Sequence, residues 1–465
     1  MIKPKTCQDW VRYIATAELP SFGQTLNQIG SINEFMVSHA AELTRVVLRD
    51  PSMTAKVLRV ANTVVFNPSQ KKISTISRAV IVLGFQTIRS LCVATFLLDE
   101  LLNRSSLEPL RREIAFAFDA AMQAREIALA RREPNVEEIF IAALLFNIGD
   151  LSFWACGGES AEQVAAALDL GLAPEKAQEQ TLGFPLKRLT AELAKEWKIN
   201  DTLIQATSGD GKSTAAKCVQ MANSVAHKLD HDMSSNEAQE LLKHLAEFTG
   251  KTSEDWRDIR RDAQSRAGDM LKACGAGELI NFFVGNGAPA IAADQASPLP
   301  EGSDATLQLA VLRELALMSQ SKADINLVLQ LVLEGLHRGA GLPRVGVALV
   351  NQQRTQLVAK YFVEWPPSGL QKQFVFDIGA TPVLQTVLSN NQVLWAWRDA
   401  DRYGFGVVQK ATNATDCLLG PLVVNGKTIG VFYADHGQDA LSNTDMEAFE
   451  LFVLQARLCL QVLNK

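Results

Sequence analysis

LRDPSMTAKVLRVANTVVFNPSQKKISTISRAVIVLGFQTIRSL, Leu48 to Leu91, carries two sets of helix signals in quick succession. Asp50 can accept hydrogen bonds from the first free N–H groups of a helix, and Pro51 behind it has no N–H to leave unpaired and a φ already suited to the first turn. Met53, Val57 and Val60 then recur at i, i+4 and i+7, one apolar stripe. Ser74 precedes a second run, ISRAVIVLG, in which Gly84 is placed to end a helix in the left-handed conformation that costs glycine little.

The same texture continues outward. Arg112 to Glu133 carries alanines and long side chains at helical spacing, with Pro134 to stop it. Ile139 to Leu145 is almost wholly apolar, as a central buried helix would be. The helical period returns over Gln163–Leu168, Leu186–Trp197, Ala215–Leu229, Ala238–Phe248 and Trp256–Leu271. No strand pattern interrupts the first 285 residues, so the first domain is expected to be all-α. GNGAPAIAADQASPLPEGSD, Gly285 to Asp304, is rich in Gly, Ala, Pro and Ser, lacks any amphipathic period, and reads as an exposed linker.

Beyond it helix and strand mix. Ala305, Leu309, Leu312 and Ala316 mark one helix, and Asp324 caps a second that runs to about His337. RVGVALVN, Arg344 to Asn351, is β-branched and apolar on both faces, as a central strand requires. Gln356–Glu364 follows as its hairpin partner, Thr381–Ser389 as a helix and Gln392–Trp397 as a short strand. Asn425-Gly426 joins Cys417–Val424 to Lys427–Asp435 with the turn chemistry of a two-residue hairpin. Thr444–Leu463 closes the chain as an amphipathic helix. The expected organisation is multidomain: an all-α module over 1–285, a linker over 286–304, and an α+β domain with an antiparallel sheet over 305–465.

Composition narrows the function classes. The 465 residues are 47% hydrophobic and 21% charged, ordinary globular material. A net charge of −6 argues against a general nucleic-acid binder, which needs a basic face. Seven cysteines, an odd number without a CxxC, read as reduced thiols rather than a disulfide framework or a zinc knuckle. No uninterrupted apolar region opens the chain, and no run of about 18 residues is apolar without charge, so the expectation is a cytoplasmic protein with no membrane partner.

Leu48–Leu91 resembles the opening of the HDOD family, whose members show D-P, then L-L-R-x-x-N-S, then I-x-S-I-x-x-A-I-x-x-L-G. Asp50-Pro51, Leu58-Arg59, Asn62, Ile73, Ser74, Ile76, Ala79, Leu83 and Gly84 match in order. The resemblance extends through AALLFNIGDL, Ala142–Leu151, giving a core match over about 15–210 and a helical extension over 211–285 that either belongs to the module or packs on the second domain. The C-terminal 160 residues are similar to GAF domains in element order and in GKTIGVFYAD.

The resemblance carries an implication for chemistry. HD-superfamily enzymes hold one or two cations with histidine and aspartate, and the metal supplies hydroxide and grips phosphate oxygens. Where relatives carry L-L-H-D-I-G, this chain has Phe146 and Asn147, and an earlier histidine position falls on Phe116. Phenylalanine cannot ligate a metal, and an amide is a weak neutral donor beside a carboxylate. Later family histidines fall near Phe184 and near Thr207-Ser208. The vacated site is expected to be core, with Phe116 packed on Phe146, and the chain to be no enzyme and to hold no metal. The alternatives are a phosphodiesterase with a site remodelled around Asp119, Asn147 and Asp150, or a ligand-free scaffold.

Other motifs read blandly. His227 and His231 at i, i+4 have zinc spacing but no HExxH glutamate, and are expected at a solvated helix end. GDGKST, Gly209–Thr214, lacks the first glycine and the strand of a phosphate loop. In the second domain, GAF domains resembling this one hold small molecules on one sheet face. Tyr361, Trp395, Trp397, Tyr403 and Tyr433 are the candidates for such a pocket, core or interface packing being the competing reading. No cofactor is named by these residues, and the kind of small-molecule ligand is open. The expected function is non-catalytic signal transduction of a bacterial type. A GAF-like domain senses or dimerises, and an HDOD module binds signalling proteins.

Overall fold

A computed structural model describes residues 4–19, 25, 43–44, 46–48, 50–63, 65–67, 72–102, 104–105, 107–197, 199, 201–207, 213–228, 235–283, 303–318, 325–364, 369–397, 406–424 and 426–463. The linker reading, Asp324, Asn425, Tyr403, His231 and Gly209–Lys212 lie outside them. The chain forms two compact units. One comprises Met1–Asn33, Arg59–Lys71 and Gln86–Ala296; the other comprises Glu34–Leu58, Lys72–Phe85 and Ser297–Lys465. Two segments of the HDOD-like stretch therefore fold with the C-terminal unit.

The first unit is helical, and among its described residues there is no strand. Numbered in chain order over both units, the first helices are α1 (Cys7–Arg12), α2 (Pro51–Ala61), α3 (Ile76–Leu83), α4 (Phe85–Leu101), α5 (Glu108–Ala130), α6 (Val136–Leu144) and α7 (Ile148–Cys156), of which α3 and most of α2 belong to the second unit. They continue as α8 (Glu159–Asp169), α9 (Pro174–Leu182), α10 (Leu186–Glu196), α11 (Asp201–Thr207), α12 (Thr214–Lys228), α13 (Asn236–Thr249) and α14 (Ser253–Ala273). Helix α5 is the axis of the unit: α6, α7, α12 and α14 all pack on it, and its alanines let them approach closely. Val136–Cys156 is apolar enough to cross a membrane by length and composition, with a mean hydropathy of 1.8, but it is mostly buried and broken into α6 and α7. Gly149 at the start of α7 has a local reason: a Cβ there would lie 2.4 Å from the Thr190 nitrogen, and its own N–H donates to the Thr190 hydroxyl at 3.0 Å.

In the second unit, Asp50 caps α2 as its position predicts, accepting from the N–H groups of Ser52 and Met53. Helix α3 is capped by Thr75, one residue after the Ser74 expected, and ends at Gly84 with φ of 87°. Its N-terminus is closed from further along the chain. Two helices, α15 (Ala305–Met318) and α16 (Ile325–Glu334), supply Glu314 and Glu334. The Glu334 carboxylate, fully buried, accepts from the N–H of Ile76 at 2.9 Å and of Ser77 at 3.4 Å, and from Arg338 at 2.5 Å. Arg338 also donates to the Ser74 carbonyl, and Glu314 accepts from the Thr75 hydroxyl and pairs with Arg78.

The rest of this unit is the expected α+β domain. Strands β1 (Arg344–Val350), β2 (Gln356–Glu364), β3 (Val375–Asp377), β4 (Leu394–Trp397), β5 (Asp416–Val424) and β6 (Lys427–Asp435) form one antiparallel sheet in the order β3-β2-β1-β6-β5-β4. Short helices α17 (Leu370–Gln373), α18 (Pro382–Asn390) and α19 (Gly406–Thr412) connect them, and α20 (Asn443–Leu463) closes the chain. Helices α16 and α20 pack together, and α20 lies on β5, where Gly420 leaves room for Phe449 and Val453. An all-α description thus fits the residues before the linker and not the whole chain.

Candidate functional site

Helix α5 carries Glu113, Phe116, Asp119 and Gln123 down its length, the turn between α6 and α7 presents Phe146 and Asn147, the first turn of α7 carries Asp150, and α12 brings in Asn223 and His227. Glu113, Phe116, Asn147, Asn223 and His227 meet in one cluster, and Asp119 and Gln123 bond to each other apart from it. The Asn147 amide donates to Glu113 Oε2 at 3.3 Å and to Asn223 Oδ1 at 3.2 Å. His227 Nδ1 donates to the Asn223 carbonyl at 2.9 Å, which turns Nε2 toward Glu113 Oε2 at 3.4 Å. An Nε2 facing a carboxylate is best satisfied when it also carries a proton. Burial disfavours the imidazolium, but the Glu113 hydrogen bond and charge, the Asn223 carbonyl and Asp150 outweigh it, so the His227 pKa is raised. Asp150 is raised as well, first by burial and then by the Glu113 carboxylate.

Phe116 closes one side of this cluster. Its ring meets His227 edge-on at 4.8 Å between centroids, and no ring contact joins it to Phe146. Both phenylalanines keep part of their surface exposed. The expected packing is Phe116 on Phe146 as vacated core; the structure sets the Phe116 ring against His227, and a hydrogen-bonded polar network shares the place. His227 is likewise no solvated helix end. Its signal was present in the i, i+4 pair, but its partner Glu113 lies 114 residues away. Asp119 is buried lower on α5, bonded to Gln123 and Gln264, and its pKa is raised by burial against those bonds and the charge of Arg260. Phe184 and Thr207, at the other histidine positions, are buried. Among the described residues no group of three or more His, Cys, Asp or Glu side chains is arranged to hold a metal ion. A surface cleft of about 400 Å³ lies between α10 and α11, lined by Lys187, Arg188, Lys195 and Ile204.

In the second unit the candidate pocket residues separate. Tyr433 is fully buried on the sheet face covered by α17, α18 and α19, where Phe362, Phe374 and Phe376 fill the space. Phe374 stands 4.7 Å from Phe362 and 4.9 Å from Tyr433. Gly346 permits this, since a Cβ there would meet the Phe362 ring at 2.4 Å. Tyr361 points to the opposite face, where its hydroxyl donates to Asn326 Oδ1 on α16. Trp395 donates to Asp416 at 2.9 Å, while its neighbour Ala396 is the β4 residue in the Tyr433 core. The side chains of Trp397 and Tyr403 lie outside the described residues.

Comparison with known families matches residues 19–210 to the HDOD domain and residues 324–460 to the GAF domain. The chain carries an HDOD domain followed by a GAF domain. Among solved structures, a phosphohydrolase candidate from Shewanella amazonensis SB2B is 20% identical, over 57% of this chain and 97% of its own, with a TM-score of 0.45. An HDOD domain protein of unknown function from Geobacter sulfurreducens is 20% identical, over 54% and 92%, with a TM-score of 0.44. A GAF domain/HD domain protein from Geobacter sulfurreducens is 15% identical, over 29% and 90%, with a TM-score of 0.25. No curated protein matches the chain. The HDOD match includes α3, whose N-terminus is closed by Glu334 from inside the GAF match.

Proposed function

We propose that this chain is a non-catalytic, cytoplasmic signalling protein whose HDOD domain binds a partner protein and whose GAF domain senses or dimerises. One observation carries the reading. Where the HD superfamily arranges metal ligands, the polar atoms of Asn147, Glu113, Asn223 and His227 are engaged with one another, and Phe116 takes up the remaining side. A ligand set must present several lone pairs to one point, and an amide that donates both ways does the reverse. The basic cleft between α10 and α11 supports the partner-binding half, since Lys187 and Arg188 over an apolar floor suit an acidic segment.

A second reading, a phosphodiesterase with a remodelled site, has in its favour that Glu113, Asp150 and His227 converge. Elemental analysis of the purified chain after incubation with manganese, iron or zinc decides between them, combined with a phosphodiester hydrolysis assay. Stoichiometric metal and turnover, both lost in Asp150→Ala, would replace the first reading with the second. Trace metal and no turnover supports the first.

A further inference from the structure

The outer face of the GAF domain's terminal helices is apolar. On α20, Leu451, Leu454 and Leu458 are 44%, 54% and 48% exposed, and on α15, which packs beside it, Leu309 and Leu317 are 69% and 50% exposed. Along α20 the outward positions run Glu447, Leu451, Leu454, Leu458 and Gln461, spaced four, three, four and three. That is the alternation of a coiled-coil seam, with leucine in the middle and polar residues at both ends. The inward face is buried through Phe449, Phe452, Val453 and Ala456, with Phe449 and Val453 against Gly420 of β5 and Phe452 against Gly335, and about half of each leucine's surface is left to solvent. Five leucines at roughly half exposure come to on the order of 500 Å² of apolar surface, in the upper part of the range of a monomer's largest and often functional patch.

We propose that this seam binds a second copy of the chain, α20 against α20 in antiparallel order. The reading rests on the GAF half of the proposed function and names the surface that would serve it. The flanking charges select the partner and its direction. Glu450 and Arg457 precede Leu451 and Leu458 by one residue each, seven apart on the same edge of the seam. A two-fold axis near Leu454 brings Glu450 beside Arg457 of the second copy, and Arg457 beside Glu450 of the second copy. The seam is thus complementary to itself, as a two-fold interface requires. A parallel pairing sets neither charge against its opposite. The apolar area is a large share of the about 800 Å² per partner that a stable interface buries, and the α15 leucines widen it.

Sedimentation velocity on the full chain at micromolar concentration tests this. The wild-type chain is expected to be a dimer, and Leu454→Glu should weaken self-association by roughly tenfold or more, as loss of a central interface residue does. Its circular dichroism should match the wild type, because Leu454 is exposed within one copy. Glu450→Arg and Arg457→Glu should each weaken the dimer, and the two together should restore it. A monomeric wild-type chain, a dimer indifferent to Leu454→Glu, or a double reversal weaker than either single change would overturn the proposal. Each of those outcomes leaves the metal and turnover measurements, and so the non-catalytic reading, standing by themselves.

Discussion

Glu334 should be among the most costly positions in the chain to truncate, although nothing in its local sequence marks it. The carboxylate is fully buried and has three donors: the N–H groups of Ile76 and Ser77 at the start of α3, and the Arg338 guanidinium. A solvent-exposed helix cap contributes about 1 kcal/mol. Here the cap is buried, so Glu334→Ala leaves two backbone donors without an acceptor, each costing about 1–3 kcal/mol. It also strands the 13% exposed Arg338 side chain, and breaking a buried pair from one side costs about 3–5 kcal/mol. These contributions overlap, because Arg338 keeps the Ser74 carbonyl, so the expected loss is about 3–5 kcal/mol rather than their total.

Glu334→Gln keeps an acceptor oxygen for one N–H but turns an NH2 group toward the others, and should cost about half as much. The assay is a denaturant titration of the full chain, followed by amide exchange at Ile76 and Ser77. Glu334→Ala should speed exchange at those two amides more than at amides of α5, which lies in the other unit. A loss below about 1 kcal/mol, with Ile76 and Ser77 as protected as before, would refute the reasoning, since it would mean that α3 is capped without Glu334.

The chain purified without added metal should hold less than about 0.1 equivalent of iron, manganese or zinc by elemental analysis. Phe146→His should not change that, and should cost about 1–2 kcal/mol in a denaturant titration, less than a fully buried phenylalanine would, because Phe146 is partly exposed. Gly149→Ala should cost about 1–3 kcal/mol or more, because its Cβ would meet backbone at Thr190, which cannot swing aside. Stability should also fall as pH rises from the ordinary aspartate value of 3.8 through about 7, and on through the raised His227 value. The raised His227 pKa means that its contribution is complete below the ordinary 6.5 and is lost as pH passes the folded value. Asp150, raised by burial and by Glu113, has the same sign, because ionising it in place costs more than in the unfolded chain. His227→Gln should flatten that fall in thermal-unfolding midpoints; a slope unchanged by the substitution would remove His227 from the account.

What the sequence made legible was local. The helices with one apolar face, the cap at Asp50 and the β5–β6 hairpin were readable because the signal lies within a few residues of the element it shapes. Helix α4 escaped notice for the opposite reason: buried residues from Ile88 to Leu101 occupy all its sides, so no period separates in from out. Strand β3 has three residues, too few for alternation to register. The tyrosine pair shows a different limit. Tyr433 pairs with Gly346 and Tyr361 with Val347, adjacent residues of β1, so the two rings point to opposite faces of one sheet. That parity is fixed by register between strands, which neither strand's sequence contains.

The degenerate HD site joins both limits. The family's positions identified Phe116, Phe146 and Asn147, and the structure places Phe116 and Asn147 against partners from α12 that no motif position names. Replacing a ligand with phenylalanine removes a lone pair but does not make the surroundings apolar, because Glu113 and Asp150 remain beside it. A carboxylate beside an apolar ring needs a cation or a donor. His227 and Asn147 are the donors that meet Glu113. Removing His227 should unsettle Asn147 and Glu113 as well, so the effects of His227→Gln and Asn147→Ala on stability should be non-additive in a double-mutant cycle.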